Sequence, residues 1–309
     1  MLYKTLMLLS QIACHTPYKL LMAAGWVLGH LYYLLIKKER NRAIKQMSRG
    51  LNITEKEARG LVLNSFVNLA KNVLEILYMP RLNENNLHEF MEIEHLERMR
   101  AALDEGRGVV VLTGHVGTWE WLSAAFSLNG MPVTAIAKQQ PKADYSRALN
   151  DLRATIHVEI FSRGTAEMVA AARALKQGKI LGFLADQDAG SGGAFIDFLG
   201  QPASTPLGPA VFARKFNAPV VPAFILRQPS GKHKVVVGEV MHCPDTGDTD
   251  KDLFDFTVQM TKILENIVRE NPTQWLWFQK RWNTPPDMQK KDKHHTVKTR
   301  RKERSNGGQ

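Results

Sequence analysis

The residues best suited to chemistry in this chain are a histidine and a glutamate that follow a short apolar run. Residues 109–112 predict a buried strand, which leads through Gly114 to His115 and then to Glu120. On a single helix the two side chains would lie about 140° apart, so they can meet only if His115 is on a loop and Glu120 in the first helical turn. A carboxylate there fixes the imidazole tautomer, and the other ring nitrogen can take a proton from a hydroxyl group. On spacing alone, the pattern also fits a structural histidine capped by a nearby acid.

The elements that must position this pair alternate between strands and helices. Strands are predicted from short β-branched runs at residues 109–112, 133–137, 158–161, 180–184, 220–226 and 234–240. Helices are predicted at residues 118–128, 143–155, 165–177, 207–216 and 253–269. This alternation indicates an α/β fold with a mixed central sheet flanked by helices.

Two longer helices are predicted before the first strand. Thr54 and Glu57 form a capping-box pattern, which opens a helix that ends near Pro80. A second helix is expected over residues 85–105, with Gly106 at its end. With the elements that follow, these helices place residues 50–286 in one α/β domain.

An apolar segment near the N-terminus predicts a membrane-anchor helix. Residues 17–36 are mostly apolar, and twenty helical residues rise about 30 Å, the thickness of a hydrocarbon core. The short length of the run and His30 within it leave open a helix that lies in the membrane interface, and a buried core helix also fits. The basic residues at 37–42 place this flank in the cytoplasm by the positive-inside rule.

The net charge of +11 arises at the two ends of the chain. Residues 1–49 carry a charge of +7 and residues 287–309 a charge of +5, whereas the segment between them is nearly neutral. We therefore expect an anchor helix with a basic flank at 1–49 and a basic, disordered tail at 287–309. The folded middle has neither a basic stripe nor a recognition motif for nucleic acid, so no nucleic-acid partner is expected.

The sequence gives no indication of a metal or nucleotide site. Cys14 and Cys243 are far apart in the chain, which excludes a disulfide scaffold and a cysteine-rich metal site. The glycine-rich run at 189–193 does not match a phosphate-binding loop and is interpreted as a flexible loop. We expect a reaction that needs no metal and no other cofactor.

Several motifs together resemble one family of enzymes. The His-x4-Glu pattern after an apolar strand is similar to the first block of the lysophospholipid acyltransferase superfamily, and the chain most resembles its bacterial lipid A biosynthesis acyltransferases. The matching blocks are residues 114–120, 161–164, 183–188, 204–222 and 274–282. The resemblance covers roughly residues 1–286, although Gln279 stands where these enzymes often have histidine.

This resemblance implies a role for five side chains. His115 would be the general base, and Glu120 would orient its imidazole. Arg163 would bind an anionic group of the substrate, because a guanidinium grips phosphate through a rigid fork. Asp186 would order the site by accepting hydrogen bonds from Arg163 or a sugar hydroxyl, with Asp188 as a weaker candidate on the same turn. From the sequence alone, a surface arginine and an ordinary turn acid remain alternatives for Arg163 and Asp186.

The resemblance also implies the reaction and its place in the cell. A fatty acyl group would move from acyl carrier protein to the hydroxyl of an acyl chain on a Kdo-bearing lipid A precursor. The enzyme would lie at the cell inner membrane, with its catalytic domain on the cytoplasmic face. The alternative is an enzyme that acylates another glycolipid or phospholipid, such as a phosphatidylinositol mannoside or a lysophosphatidate, from acyl-CoA.

Overall fold

Alternating strands and helices follow a helical N-terminal part in the computed structural model, which describes residues 1–137, 141–162 and 164–288. The helices are α1 Leu2–His15, α2 Tyr18–Leu35, α3 Lys37–Leu51, α4 Glu55–Tyr78, α5 Leu87–Phe90, α6 Leu96–Asp104, α7 Trp119–Ser127, α8 Ala143–Ala154, α9 Thr165–Lys176, α10 Gly208–Phe216 and α11 Thr249–Glu270. The strands are β1 Met91–Glu94, β2 Val109–Thr113, β3 Val133–Ala137, β4 Val158–Ser162, β5 Ile180–Leu184, β6 Ala194–Phe198, β7 Gln201–Thr205, β8 Val220–Arg227 and β9 His233–Val237.

Seven of these strands form one mixed sheet in the order β1-β9-β8-β2-β5-β3-β4. Neighbouring strands are parallel except β8 and β9, which pair antiparallel. Alternate residues of β2 enter two different apolar cores: Val110 and Leu112 belong to one, and Val109 and Val111 to the other. The sheet is thus covered on both faces, and the α/β fold expected from the sequence is confirmed.

The prediction of one continuous helix over residues 85–105 is wrong for the middle of that segment. The segment forms the short helix α5, the strand β1 and then α6. Met91 pairs in parallel with His233 of β9, and Ile93 pairs with Val235. The open edge of β9 therefore imposes strand structure on a segment whose local pattern favours a helix, because tertiary pairing outweighs intrinsic propensity.

The antiparallel hairpin of β6 and β7 lies outside the predicted elements. Its turn consists of Leu199 and Gly200, both with positive φ angles of 55° and 76°. Two consecutive residues of that kind form the type I′ turn that joins twisted strands tightly, and a glycine in a two-residue turn is its sequence signal.

The N-terminal helices pack directly against α4. The Oγ of Ser10 in α1 donates to the carbonyl of Leu77 at 2.7 Å. Helix α2 crosses α4 so closely that a Cβ on Gly29 would lie 2.4 Å from the Cα of Val67. The capping box predicted at Thr54 is present at the start of α4. The N-terminal helices are thus packed against α4 rather than separated from the α/β part.

The predicted anchor segment 17–36 corresponds to α2, one face of which is buried while the other is exposed and apolar. By length and composition, Glu55–Arg81 is the helix of the described residues that could cross a membrane on its own. Helices α2 and α3 meet that criterion only as a pair, and the pair is bent by 94°. The exposed apolar residues of α2 are Leu20, Trp26, Val27, Leu28, Leu31, Leu34 and Leu35.

Candidate active site

The register of two adjacent parallel strands brings a histidine and an aspartate together. Thr113, the last residue of β2, is paired with Leu184, the last residue of β5. The N–H of Ala185 donates to the carbonyl of Thr113 at 2.9 Å, which holds the strands together just past their ends. His115 and Asp186 each lie two positions further on, so they meet at the carboxyl edge of the sheet, where open α/β sheets bind their ligands.

His115 and Asp186 form a tight pair. The Nδ1 of His115 lies 2.7 Å from the Oδ1 of Asp186, and the backbone N–H of His115 donates to Oδ2 at 2.9 Å. Asp186 is fully buried, whereas 12 % of the His115 side chain is exposed. Since an ionised carboxylate only accepts, Nδ1 carries the proton when the imidazole is neutral, and Nε2 then has the lone pair. The Nε2 atom faces the side-chain amide of Gln187 at 3.4 Å.

The hydrogen-bond partner of Glu120 in the structure is Arg153, whereas the sequence predicts that Glu120 orients His115. Glu120 is in the first turn of α7, as expected, but its carboxylate accepts two hydrogen bonds from Arg153 of α8, from Nε at 2.8 Å and from Nη2 at 2.6 Å. Both side chains are only 10 % exposed. A buried, bidentate guanidinium satisfies the carboxylate better than an imidazole would, so Glu120 is held in an ion pair with Arg153, and the acid that lies against His115 is Asp186.

Opposite charges set the protonation of the pair. Burial alone lowers the pKa of His115, but the charge and hydrogen bond of Asp186, with a smaller effect from the charge of Glu120, outweigh it and raise that pKa above its ordinary value. Burial alone raises the pKa of Asp186, yet the charge and hydrogen bonds of His115, with the hydrogen bond from Trp275, hold it well below its usual range. Asp186 is thus ionised at neutral pH.

Two residues of the C-terminal segment also bind Asp186. The indole N–H of Trp275 donates to Oδ2 at 2.8 Å, and the side-chain amide of Gln279 lies 3.3 Å from the same oxygen. Both residues lie in the segment 274–282, the last block of the family resemblance, and neither is predicted from the sequence to take part in the site. Trp275 and Trp277 are fully buried, so these two belong to the core.

The remaining candidates lie apart from this pair or outside the described residues. Asp188 accepts a hydrogen bond from the Oγ1 of Thr284 at 2.8 Å, which fixes the C-terminal segment. Arg163 lies outside the described residues. Among the residues that are described, no group of three or more histidine, cysteine, aspartate or glutamate side chains could hold a metal ion.

The turn that carries His115 is fixed by backbone contacts. Gly117 has a φ of 57°, and a Cβ on it would lie 1.9 Å from the carbonyl oxygen of Ile225. Asn72 of α4 donates to the carbonyl of Gly117 at 2.6 Å, and the N–H of Gly117 donates to the carbonyl of Gln274 at 2.9 Å. Only glycine tolerates this backbone approach, so the loop holds His115 in one position.

A large, mainly apolar cavity of 690 Å³ opens beside His115. Its walls include Trp119, Glu120 and Arg153 together with apolar residues of α1, α4 and α8; the latter are Leu6, Val73, Ile76, Leu77, Ala148, Leu149 and Leu152. A narrow slot of 60 Å³ lies between α7 and the sheet, shares Trp119, Glu120 and Arg153 with the cavity, and has Gly182 of β5 in its wall. The cavity can hold an apolar chain next to His115.

Comparison with known proteins finds one matching family and several related acyltransferases. A family model described as bacterial lipid A biosynthesis acyltransferase matches residues 3–284. The chain is 23% identical to the lipid A biosynthesis lauroyltransferase of Escherichia coli, over 88% of each chain. It is 22% identical to the lipid A biosynthesis palmitoleoyltransferase of Escherichia coli, over 87% of each. It is also 22% identical to the phosphatidylinositol mannoside acyltransferase of Mycolicibacterium smegmatis, over 72% of each chain.

Proposed function

Since the chain belongs to the bacterial lipid A biosynthesis acyltransferases, enzymes that acylate lipid A-type glycolipids, we propose how its own residues carry out the transfer. The acyl donor is acyl carrier protein, and the acceptor is the hydroxyl of an acyl chain on a Kdo-bearing lipid A precursor. His115 acts as the general base and Asp186 orients it. The observation that carries this proposal is the His115–Asp186 pair at the edge of an apolar cavity.

The proposed reaction begins with proton transfer to His115. A secondary alcohol is too weakly acidic to attack at neutral pH, so Nε2 takes its proton as the oxygen attacks the thioester carbonyl carbon. The tetrahedral intermediate then collapses, the C–S bond breaks, and the leaving thiolate takes the proton back from the imidazolium. Asp186 stabilises the imidazolium between the two steps, as the carboxylate of a catalytic triad does. The product is an ester, and no acyl-enzyme forms.

The Glu120–Arg153 pair is proposed to shape the wall between the cavity and the slot. Both residues line both spaces, and their charges satisfy each other through two hydrogen bonds. A closed ion pair presents little net charge to an apolar chain that passes it. The acyl chain of the donor then extends past the pair into the slot. Arg163, which lies outside the described residues, keeps its proposed role in binding an anionic group of the substrate.

A second candidate is acylation of another glycolipid or phospholipid from acyl-CoA. It is favoured by the similarity to the phosphatidylinositol mannoside acyltransferase, whose name gives a different acceptor. The proposed proton transfer would be the same, because His115 sees only a hydroxyl group and a thioester. The two candidates differ in the groups that bind the donor and the acceptor.

We propose that α2 lies in the interface of the inner membrane, on the cytoplasmic side. Leu21, Gly25 and Gly29 of α2 are buried, whereas its opposite face is apolar and exposed. A helix with one face packed in protein cannot be surrounded by lipid, but it can lie with its apolar face in the headgroup region. Helix α3 follows with basic residues, and each contributes about 1 kcal/mol near an anionic leaflet.

Acyl transfer by the purified full-length chain tests the proposed function. The protein is incubated with acyl carrier protein or coenzyme A thioesters and either a Kdo-bearing lipid A precursor or a phosphatidylinositol mannoside, and products are weighed by mass spectrometry. We expect the lipid A precursor to gain the mass of one acyl ester with the carrier-protein donor, and His115→Gln to abolish the gain. Acylation of the mannoside alone, or from acyl-CoA alone, would favour the second candidate.

A further inference from the structure

We propose that Trp275 is a positioning residue for acyl transfer, which holds the Asp186 carboxylate in the orientation that meets the His115 imidazole, with Gln279 as its partner. This inference rests on the proposed roles of His115 and Asp186. Trp275 does not itself touch the Nε2 atom at which the proton moves; it acts through the carboxylate.

The two oxygens of Asp186 have separate partners. Oδ2 receives the backbone N–H of His115 at 2.9 Å, the indole N–H of Trp275 at 2.8 Å and the amide of Gln279 at 3.3 Å. Oδ1 receives the Nδ1 of His115 at 2.7 Å. A carboxylate can rotate about its Cβ–Cγ bond, and donors gathered on one oxygen stop that rotation. Oδ1 is thereby aimed at Nδ1.

The indole is itself held rigidly. Trp275 is 1% exposed, and its ring centroid lies 4.7 Å from that of Trp277 and 5.5 Å from that of Phe198. The backbone of the same segment runs along the histidine turn, where the N–H of Leu276 donates to the carbonyl of His115 at 3.2 Å. The indole that donates to Asp186 is therefore fixed relative to the loop that carries His115.

Helix α3 holds the segment that carries Gln279, the other side chain that donates to Asp186. The side-chain amide of Gln46 donates to the carbonyls of Trp277 and Gln279, the latter at 3.0 Å. Arg42 donates to the carbonyl of Phe278 at 2.8 Å. These bonds place the backbone of Gln279, so that its amide reaches Asp186. A helix whose basic residues suggest only membrane attachment thus also supports the site.

Removing the indole N–H of Trp275 should raise the pKa of His115. The backbone N–H of His115 and the amide of Gln279 still hold Oδ2, so the bond from Nδ1 to Oδ1 persists in a looser arrangement. With one donor fewer, the carboxylate carries more negative charge towards Nδ1, so the imidazolium is stabilised and the pKa of His115 rises. Two other charges act on the pair: Glu120 of α7, itself paired with Arg153 of α8, acts on His115, and Arg281 of the C-terminal segment acts on Asp186. Lys142 lines the cavity beside His115, and Asp188 after β5 interacts with Arg281. None of these is altered by a change at Trp275.

Trp275→Phe tests the proposal, with Trp277→Phe as the matched control. Both variants remove one buried indole N–H and keep an aromatic ring, but the N–H of Trp277 donates to the carbonyl of Pro272 and not to Asp186. The pKa of His115 is measured by NMR on full-length protein labelled at histidine and assigned with His115→Gln. We expect Trp275→Phe to raise it by about 0.3–1 unit and Trp277→Phe to leave it unchanged. In the transfer assay, Trp275→Phe should lower kcat about tenfold, leave KM unchanged and move the acidic limb of the pH profile upward.

The proposal is overturned if the pKa of His115 is the same in Trp275→Phe as in the wild type, or if Trp277→Phe shifts it equally. Thermal unfolding shows whether each variant is folded. If Trp275→Phe does not fold, Gln279→Leu removes the second donor to Oδ2 at a half-buried position, and it should shift the pKa in the same direction by a smaller amount. A wild type that transfers no acyl group contradicts the proposed function, whereas the NMR titration decides the role of Trp275 separately.

Discussion

Replacing Asp186 by asparagine should disable His115 by reversing its tautomer. The position of Oδ2 is surrounded by three donors, from His115, Trp275 and Gln279. An asparagine would turn its carbonyl oxygen towards those donors, because its NH₂ group there would face only other hydrogens. The NH₂ group would then point at Nδ1 of His115. Nδ1 must accept that bond, so the ring proton moves to Nε2, where the lone pair is needed.

The size of the effect follows from this loss of the base. An aspartate-to-asparagine change that imposes the wrong tautomer lowers kcat by about 10⁴ in a catalytic triad, and we expect about 10³ to 10⁴ here. At 1.36 kcal/mol for each factor of ten, this corresponds to about 4–5.5 kcal/mol of transition-state stabilisation. The charge that raises the pKa of His115 is also lost, so the residual activity should have its acidic limb at lower pH.

Single-turnover acyl transfer measured from pH 5 to 9 checks these expectations against two controls. Asp188→Asn changes a neighbouring acid that binds Thr284, and it should leave kcat and the pH profile almost unchanged. Glu120→Gln removes a charge that acts on His115 but leaves the hydrogen bond between His115 and Asp186 in place, so it should lower kcat by less than about tenfold. It also breaks the buried ion pair with Arg153, which costs about 3–5 kcal/mol of stability. Near-wild-type turnover in Asp186→Asn, or an equal loss in Glu120→Gln, would refute the reasoning.

Three further predictions concern the slot, the membrane face and the buried charges. A Cβ on Gly182 has only ordinary contacts, so Gly182→Leu should fill the slot and shift kcat/KM towards shorter acyl donors at least about tenfold; an unchanged preference in a donor series places the chain elsewhere. Leu28→Glu with Leu31→Glu changes two half-exposed residues of α2, so the folded protein should stop sedimenting with anionic vesicles, and continued sedimentation contradicts the proposed interface. Glu75 is buried and pairs with Arg227 at 2.6 Å, so Glu75→Gln should cost about 3–5 kcal/mol in urea unfolding at pH 7. The pKa of folded Glu75 is held below its usual range, so the carboxylate stabilises the fold above the pKa of the unfolded chain and loses this effect as the pH falls. The difference in unfolding free energy between variant and wild type should therefore narrow below about pH 4. A difference that stays constant with pH argues against this linkage.

The sequence was sufficient to predict that His115 follows a strand end, but not which acid lies against its imidazole. The apolar runs at 109–112 and 180–184 are strands that end side by side, so chemistry at their ends could be anticipated. The closeness of Glu120 to His115 in sequence favours it as the partner of the imidazole. The partner in the structure depends on Arg153, which binds Glu120 from another helix, and on a strand register that brings together residues 71 positions apart. Neither is visible in local spacing.

Other features depended on distant partners in the same way. The strand β1 exists because β9 offers it an edge, and its own residues could equally extend a helix. The indole of Trp275 reaches Asp186 across 89 positions of sequence. An aromatic and basic segment has a recognisable composition, but composition does not say which N–H group points at which carboxylate. The sequence pattern of a single helix or strand can thus be interpreted on its own, whereas the contacts between such elements become visible only in the folded structure.

The contact between Trp275 and Asp186 has a consequence for the biogenesis of the enzyme. The site unites a turn after β2, a turn after β5 and a segment near the C-terminal end of the described chain. Contacts between residues so far apart form slowly, because a long loop must close at a cost in chain entropy before the contacts can contribute any stabilisation. A growing chain therefore carries its histidine and its aspartate long before the donor that holds them in place has been synthesised. Catalytic competence should appear late, as one of the last events of folding, and fragments that stop short of Trp275 should lack it even where their sheet has formed.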